Sequence, residues 1–174
     1  NIHSGSKIVV LVSFNDGGKD DAVSFFRSVA MHIAAMSPSI LHPSEFDPEL
    51  VTRETEALQG QIKVENEDRE RLGKALKTVP QYASRAQLTP EVLAKAEADI
   101  KEQLKSEGKP EKIWDKIVPG KKDRFIADNT LLAQERCLLS QFFALDDTKT
   151  VEAAVKEFGP EAEVVAFKRV AVGS

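Results

Sequence analysis

The chain alternates between short apolar runs bounded by turn residues and long charged stretches with thin apolar seams. Lys7 to Phe14 (KIVVLVSF) is a continuous, β-branched run set between Ser4-Gly5-Ser6 and Asn15-Asp16-Gly17-Gly18. That pattern predicts a short central strand ending in a turn. From about Asp20 to Ala35, Val23, Phe26, Val29, Ala30, Ile33 and Ala34 recur at helical spacing. They predict a helix over one face of the sheet, with Met31 and Met36 filling gaps in the core. Val164 to Val172 (VVAFKRVAV) predicts a final strand able to pair with the first.

The middle of the chain has a different texture. Asp47 can cap a helix whose first residue is Pro48, and Thr89 stands in the same relation to Pro90. No proline interrupts the stretch from Pro48 to about Val79, where Leu50, Val51, Ala57, Leu58, Ile62, Leu72, Ala75, Leu76 and Val79 make a narrow stripe amid charges such as ENEDRER, Glu65 to Arg71. Leu93, Ala96, Ile100 and Leu104 make a second seam in a helix running to Ser106. Narrow seams suit two helices that face only each other, because most of each surface stays in water. The expectation is an antiparallel helical hairpin, a coiled coil about 40 Å long at the helical rise per residue, protruding from the rest. A first helix broken near Asn66 is the alternative.

Gly108 and Pro110 stop one helix and start another. Ile113, Trp114, Ile117 and Val118 form the apolar stripe of a short helix, Pro119-Gly120 break it, and Lys121 to Asp128 form a second piece with Phe125 and Ile126 inward. Leu131-Leu132 and Leu138-Leu139 return the chain to the core. Asp146-Asp147-Thr148 reads as a turn or helix cap before a short helix carrying Val151, Ala154, Val155 and Phe158 and ending at Gly159-Pro160. The order strand, helix, excursion, helix, strand gives an α+β fold, a small antiparallel sheet covered by helices. The core is expected from residues 1–47 and 107–174, with 48–106 inserted as the hairpin.

Composition narrows the function. The 174 residues include 41% apolar and 30% charged positions with a net charge of −4, a balance that favours a protein partner over nonspecific nucleic-acid binding. No apolar run is long enough to span a membrane and no basic-then-apolar leader is present. The single cysteine, Cys137, excludes an intrachain disulfide and reads as an inert buried thiol, in keeping with a cytoplasmic protein. The chain opens on Asn1, which is read as the start of a fragment.

Sites of chemistry are not legible. Gly17-Gly18 lacks the residues of a phosphate loop and reads as a turn. His32 and His42 are expected to pack or cap, and no metal, cofactor or enzyme active site is predicted. Adjacent Asp146 and Asp147 are read as capping or solvent-facing acids, and Lys121, Lys122 and Arg124 as a solvated helix face.

The order GKPEKIxxKIVxGKxxxF, AxNxLL and LLxQFxxxDDxKTV, over more than 40 positions, resembles the C-terminal half of bacterial elongation factor Ts, and the likeness extends over nearly the whole chain. Pro119 departs from the pattern, which has a charged residue and a continuous helix there. The resemblance implies a part of a guanine-nucleotide exchange factor that binds elongation factor Tu, with no membrane and no direct nucleic-acid contact; a homo-oligomer stays open. It implies that His3, in IHSGSKIVVLV, and the adjacent Ala144 and Leu145, in LLSQFFALDDTKTV, are partner-binding residues. Ordinary core is the other reading of Ala144 and Leu145. The family's TDFV motif, which disturbs the partner's magnesium and nucleotide site, does not occur in this sequence, so the chain is expected to bind without the exchange motif. An RNA-associated α+β interaction module is the alternative function.

Overall fold

The computed structural model describes residues 7–172. In chain order they form β1 (Lys7–Asn15), α1 (Ala22–Met36), α2 (Pro48–Arg71), α3 (Pro90–Ser106), α4 (Trp114–Asp128), α5 (Leu131–Arg136), β2 (Phe142–Phe143), β3 (Asp146–Thr150), α6 (Val151–Phe158) and β4 (Glu163–Val172), with short 3-10 turns between. The chain divides into two compact units, one running to Glu45 and resuming at Gln134, the other Phe46–Ala133. The sequence places the return to the core at residue 107 instead; residues 107–133 lie in the second unit because α4 packs along α3.

In the first unit β1 and β4 pair antiparallel from Lys7↔Val172 to Asn15↔Glu163, with a shift between Ser13 and Phe14. The expected pairing of the first and last strands is therefore present. The expected central position of β1 is not: among the described residues β4 is its only neighbour. A strand covered on one face alternates rather than running apolar throughout, and Val10, Val12 and Phe14 are half-buried while Leu11 is 66% exposed. α1 buries Ala22, Phe26, Val29, His32 and Ile33, and Phe26 stacks on Phe14 at 4.1 Å between ring centroids. Met31 and Met36, expected in core gaps, are exposed; Met31 lies on the helix face opposite that stripe, and Met36 is the last residue of the helix. The Arg169 guanidinium donates two bonds, of 3.2 and 3.1 Å, to the Ala34 carbonyl, placing a cation where α1 leaves carbonyls unpaired.

The second sheet of this unit is the β2–β3 hairpin. Asp146-Asp147-Thr148, expected as a turn or cap, falls in strand β3, and the α6 cap is Thr150, whose hydroxyl accepts from the Ala153 N–H at 3.2 Å.

In the second unit both cap-proline starts form as expected. The Asp47 carboxylate accepts from the Glu49 N–H at 3.0 Å, and the Thr89 hydroxyl from the Val92 N–H at 3.2 Å. The first helix, however, ends at Arg71 rather than near Val79. Gly73 takes φ +67°, a left-handed conformation that costs a residue with Cβ, and this lets the Lys74 N–H reach the Arg69 carbonyl (2.8 Å) and the Gly73 N–H the Glu70 carbonyl (3.0 Å). Residues 74–79 then return extended beside α2. Asn66 both donates to and accepts from the Lys77 backbone at 2.8 Å, Arg69 donates to the Ala75 carbonyl, and Gln59 to the Pro80 carbonyl. Polar side chains of α2 thus hold its return segment, and the helices that do pack together are α3 and α4.

α4 runs unbroken through Pro119 and Gly120, contrary to the predicted break. Proline removes the N–H that would bond the Asp115 carbonyl, a loss of roughly 3 kcal/mol in a helix interior. Burial of Val118 and partial burial of Ile117, Phe125 and Ile126 on the same helix oppose that loss. No helix among the described residues is long and apolar enough to cross a membrane.

Candidate partner-binding site

Phe143 pairs with Asp146 across the β2–β3 hairpin, so Ala144 and Leu145 are its two-residue turn. Both are exposed, Leu145 by 60%, which discards their reading as ordinary core. Phe142 beside them is 44% exposed, whereas Phe143 points inward and is buried. An exposed leucine at a turn tip beside an exposed phenylalanine is a small apolar projection of the kind that fits a partner's pocket. His3, the third residue named by the resemblance, lies outside the described residues.

The turn is anchored from below by a buried polar chain. His32, 1% exposed, projects from α1; its Nδ1 accepts the Ala144 N–H at 3.0 Å and its Nε2 bonds the Gln141 Oε1 at 2.9 Å. Gln141 is equally buried, and its Nε2 donates to the Glu135 carbonyl at 2.8 Å. Its carbonyl also accepts the Val151 N–H at 2.9 Å, closing the base of the hairpin. Because a backbone N–H can only donate, Nδ1 carries no proton, the ring is neutral, and Nε2–H is the donor to Gln141. Burial holds the His32 pKa below its ordinary value of 6.5, against the opposing effect of the Gln141 bond.

The outer side of the hairpin is fixed by charge. The Lys149 ammonium contacts Glu157 at 2.6 Å and Asp146 at 3.3 Å, tying β3 to α6. The Asp146 pKa is lowered first by the Thr148 hydroxyl and N–H and then by Lys149, and the Lys149 pKa is raised chiefly by Glu157. Asp146 is thus a strand-end acid with its own partners. Behind it Phe25 stacks on Phe158 at 4.4 Å.

Cys137, Lys122 and Arg124, also weighed in the sequence, are engaged in structure. Cys137 is fully buried, its thiol donates to the Leu41 carbonyl at 3.0 Å, and burial pushes its pKa up, so it is a protonated packing group. Lys122 pairs with Glu97 at 2.9 Å and Arg124 with Asp128 at 3.5 Å. Glu97 is also bound by Lys101 at 3.0 Å, and the hydrogen bond from Lys122 lowers its pKa first of all. Among the described residues no three His, Cys, Asp or Glu side chains gather as metal ligands.

Sequence reasoning expected His32 to pack or cap but overlooked its partner Gln141. One signal was available for Gln141: a lone amide between Leu138-Leu139 and Phe142-Phe143 is a polar side chain in an apolar run, and such a residue is buried only with partners.

The family described as "Elongation factor TS" matches residues 1–78 and 74–174. A protein of Rhodopirellula baltica named "Elongation factor Ts" is 75% identical over 173 residues, covering 98% of this chain and 53% of that protein. Proteins of the same name from Sulfurovum sp. and Campylobacter hominis are 49% and 45% identical, each with 99% of this chain and 51% of its own length covered. The chain spans about half the length of these relatives. With nearly every position matched, from β1 through the Ala144-Leu145 turn to β4, the chain belongs to the elongation factor Ts family.

Proposed function

We propose that this chain is a cytoplasmic docking part of a guanine-nucleotide exchange factor, gripping elongation factor Tu through the Ala144-Leu145 turn and His3. The observation that carries the reading is Leu145, an apolar side chain 60% exposed at a turn tip whose backbone is anchored. Such a group loses water contact only when a partner covers it, and burying a leucine contributes roughly 1.5–3 kcal/mol. The work is binding and involves no covalent step.

Exchange is a separate matter. A factor accelerates GDP release only if it binds the nucleotide-free partner better than the GDP-bound one. An apolar contact away from the nucleotide adds nearly equally to both states and, by linkage, leaves GDP affinity little changed. In the family that difference is the task of the TDFV motif, a sequence not found among these 174 residues. Release of a fluorescent GDP analogue from elongation factor Tu tests this. The expected result is a rate close to the spontaneous one at saturating chain; full acceleration would refute the separation of docking from exchange.

A further inference from the structure

We propose that His32 is a positioning residue for partner docking: its unprotonated Nδ1 holds the Ala144 backbone, and so fixes the direction in which Leu145 is presented. This rests on the reading of the turn as a docking element.

The turn needs an external anchor. Two-residue hairpin turns that match strand twist use left-handed residues, usually glycine or asparagine. Neither Ala144 nor Leu145 has positive φ, and the ladder below them shifts register between Phe142 and Phe143, so that only Phe142↔Thr150 and Phe143↔Asp146 pair. A turn of this type splays its strands, and two pairs cannot fix it. The bond from the Ala144 N–H to His32 spans 112 residues of sequence and reaches the turn's own backbone.

The hydrogen bonds run in one direction. Glu135 offers a carbonyl, so the Gln141 amide nitrogen must face it, and its oxygen must then face His32 Nε2. That oxygen takes the ring's one proton, leaving Nδ1 as acceptor for Ala144. Reversing any member leaves two donors or two acceptors facing each other, each unpaired buried group costing about 1–3 kcal/mol. Protonation does this to one end: imidazolium is a donor at both nitrogens, and Nδ1–H then opposes the Ala144 N–H.

The charged groups on the surrounding elements do not intercept the ring. Arg27 on α1 and Asp147 on the hairpin are exposed, Asp146 and Lys149 are engaged with each other and with Glu157, and Glu135 meets Gln141 through its backbone. Phe143 lies 5.9 Å from the imidazole and shields it. Docking is therefore expected to weaken in acid through His32 itself.

The test uses the whole chain with elongation factor Tu at about pH 7.5 and about pH 5.5, folding being checked by circular dichroism. His32→Asn places an amide oxygen near the position of Nδ1 and cannot titrate. His32→Leu removes the acceptor. Wild type should lose clearly more affinity in acid than His32→Asn, by a factor that stays below about tenfold because the folded pKa lies under 6.5, and His32→Leu should bind at least about tenfold more weakly than wild type at about pH 7.5. Hydrogen exchange at the Ala144 amide, followed by NMR, should quicken in the same variants and conditions. Matching acid losses in wild type and His32→Asn, or wild-type affinity in a folded His32→Leu, would overturn the inference. Leu145→Asp separates the two readings. If it binds as wild type does, docking through the turn fails and the inference with it; if it binds weakly while His32→Leu binds normally, the inference alone fails.

Discussion

Two segments of this protein have little regular structure of their own and are held by side-chain hydrogen bonds to a neighbouring helix or turn. Residues 74–80 are held on α2 by Asn66, Arg69 and Gln59, with Lys77 paired to Glu65 at 2.6 Å. The Ala144-Leu145 turn is held by His32 and Gln141. The first set lies at or near the surface, where water can replace each bond; the second is about 1% exposed and has no substitute. Burial therefore makes the second anchor stronger, pH-sensitive and costly to break.

The largest effect should follow Gln141→Leu. It strands the His32 Nε2–H and the Glu135 carbonyl, and chemical denaturation should show a loss of about 2–4 kcal/mol. A loss near zero would mean that the chain is not anchored as described. Next comes pH. The folded His32 pKa lies below its unfolded value of 6.5, so between those pH values the unfolded state binds more protons and stability rises with pH. The His32 contribution is complete above 6.5 and declines as pH falls through the lowered folded value. His32→Asn should flatten the melting temperature over that window; an unchanged slope would assign the titration elsewhere.

On the other segment Asn66→Ala removes two bonds to Lys77 and should cost about 1 kcal/mol. Its signature is local: faster hydrogen exchange at the Lys77 amide with little change in the hairpin. The smallest effect belongs to Glu65→Gln. The Glu65 carboxylate is exposed, and its pKa is lowered chiefly by the Lys77 hydrogen bond, so its melt should match wild type within error. A clear drop would show that the surface segment is held as firmly as the turn.

The same contrast explains what the sequence discloses. Local punctuation was readable: Asp47-Pro48 and Thr89-Pro90 start helices, and Gly108 ends one. Gly73 ends α2 by the same backbone arrangement, yet it was read through, because Leu72, Ala75, Leu76 and Val79 kept an apolar spacing beyond it. Apolar spacing states that a residue can face something without saying what. Polar side chains of α2 hold its return segment, the partner of α3 proved to be α4, and α4 runs on through Pro119. The turn at Ala144-Leu145 was reached only through family resemblance. Its anchor required knowing that residues 32 and 141 meet, a contact spanning 109 positions that no local pattern encodes.

The central claim is that Leu145, on an anchored turn, docks elongation factor Tu, and calorimetric titration of that protein with wild type and Leu145→Asp tests it most directly. Since Leu145 is exposed, the variant should melt as wild type does. Its affinity should fall at least about tenfold. Equal affinity of the two chains would contradict the account.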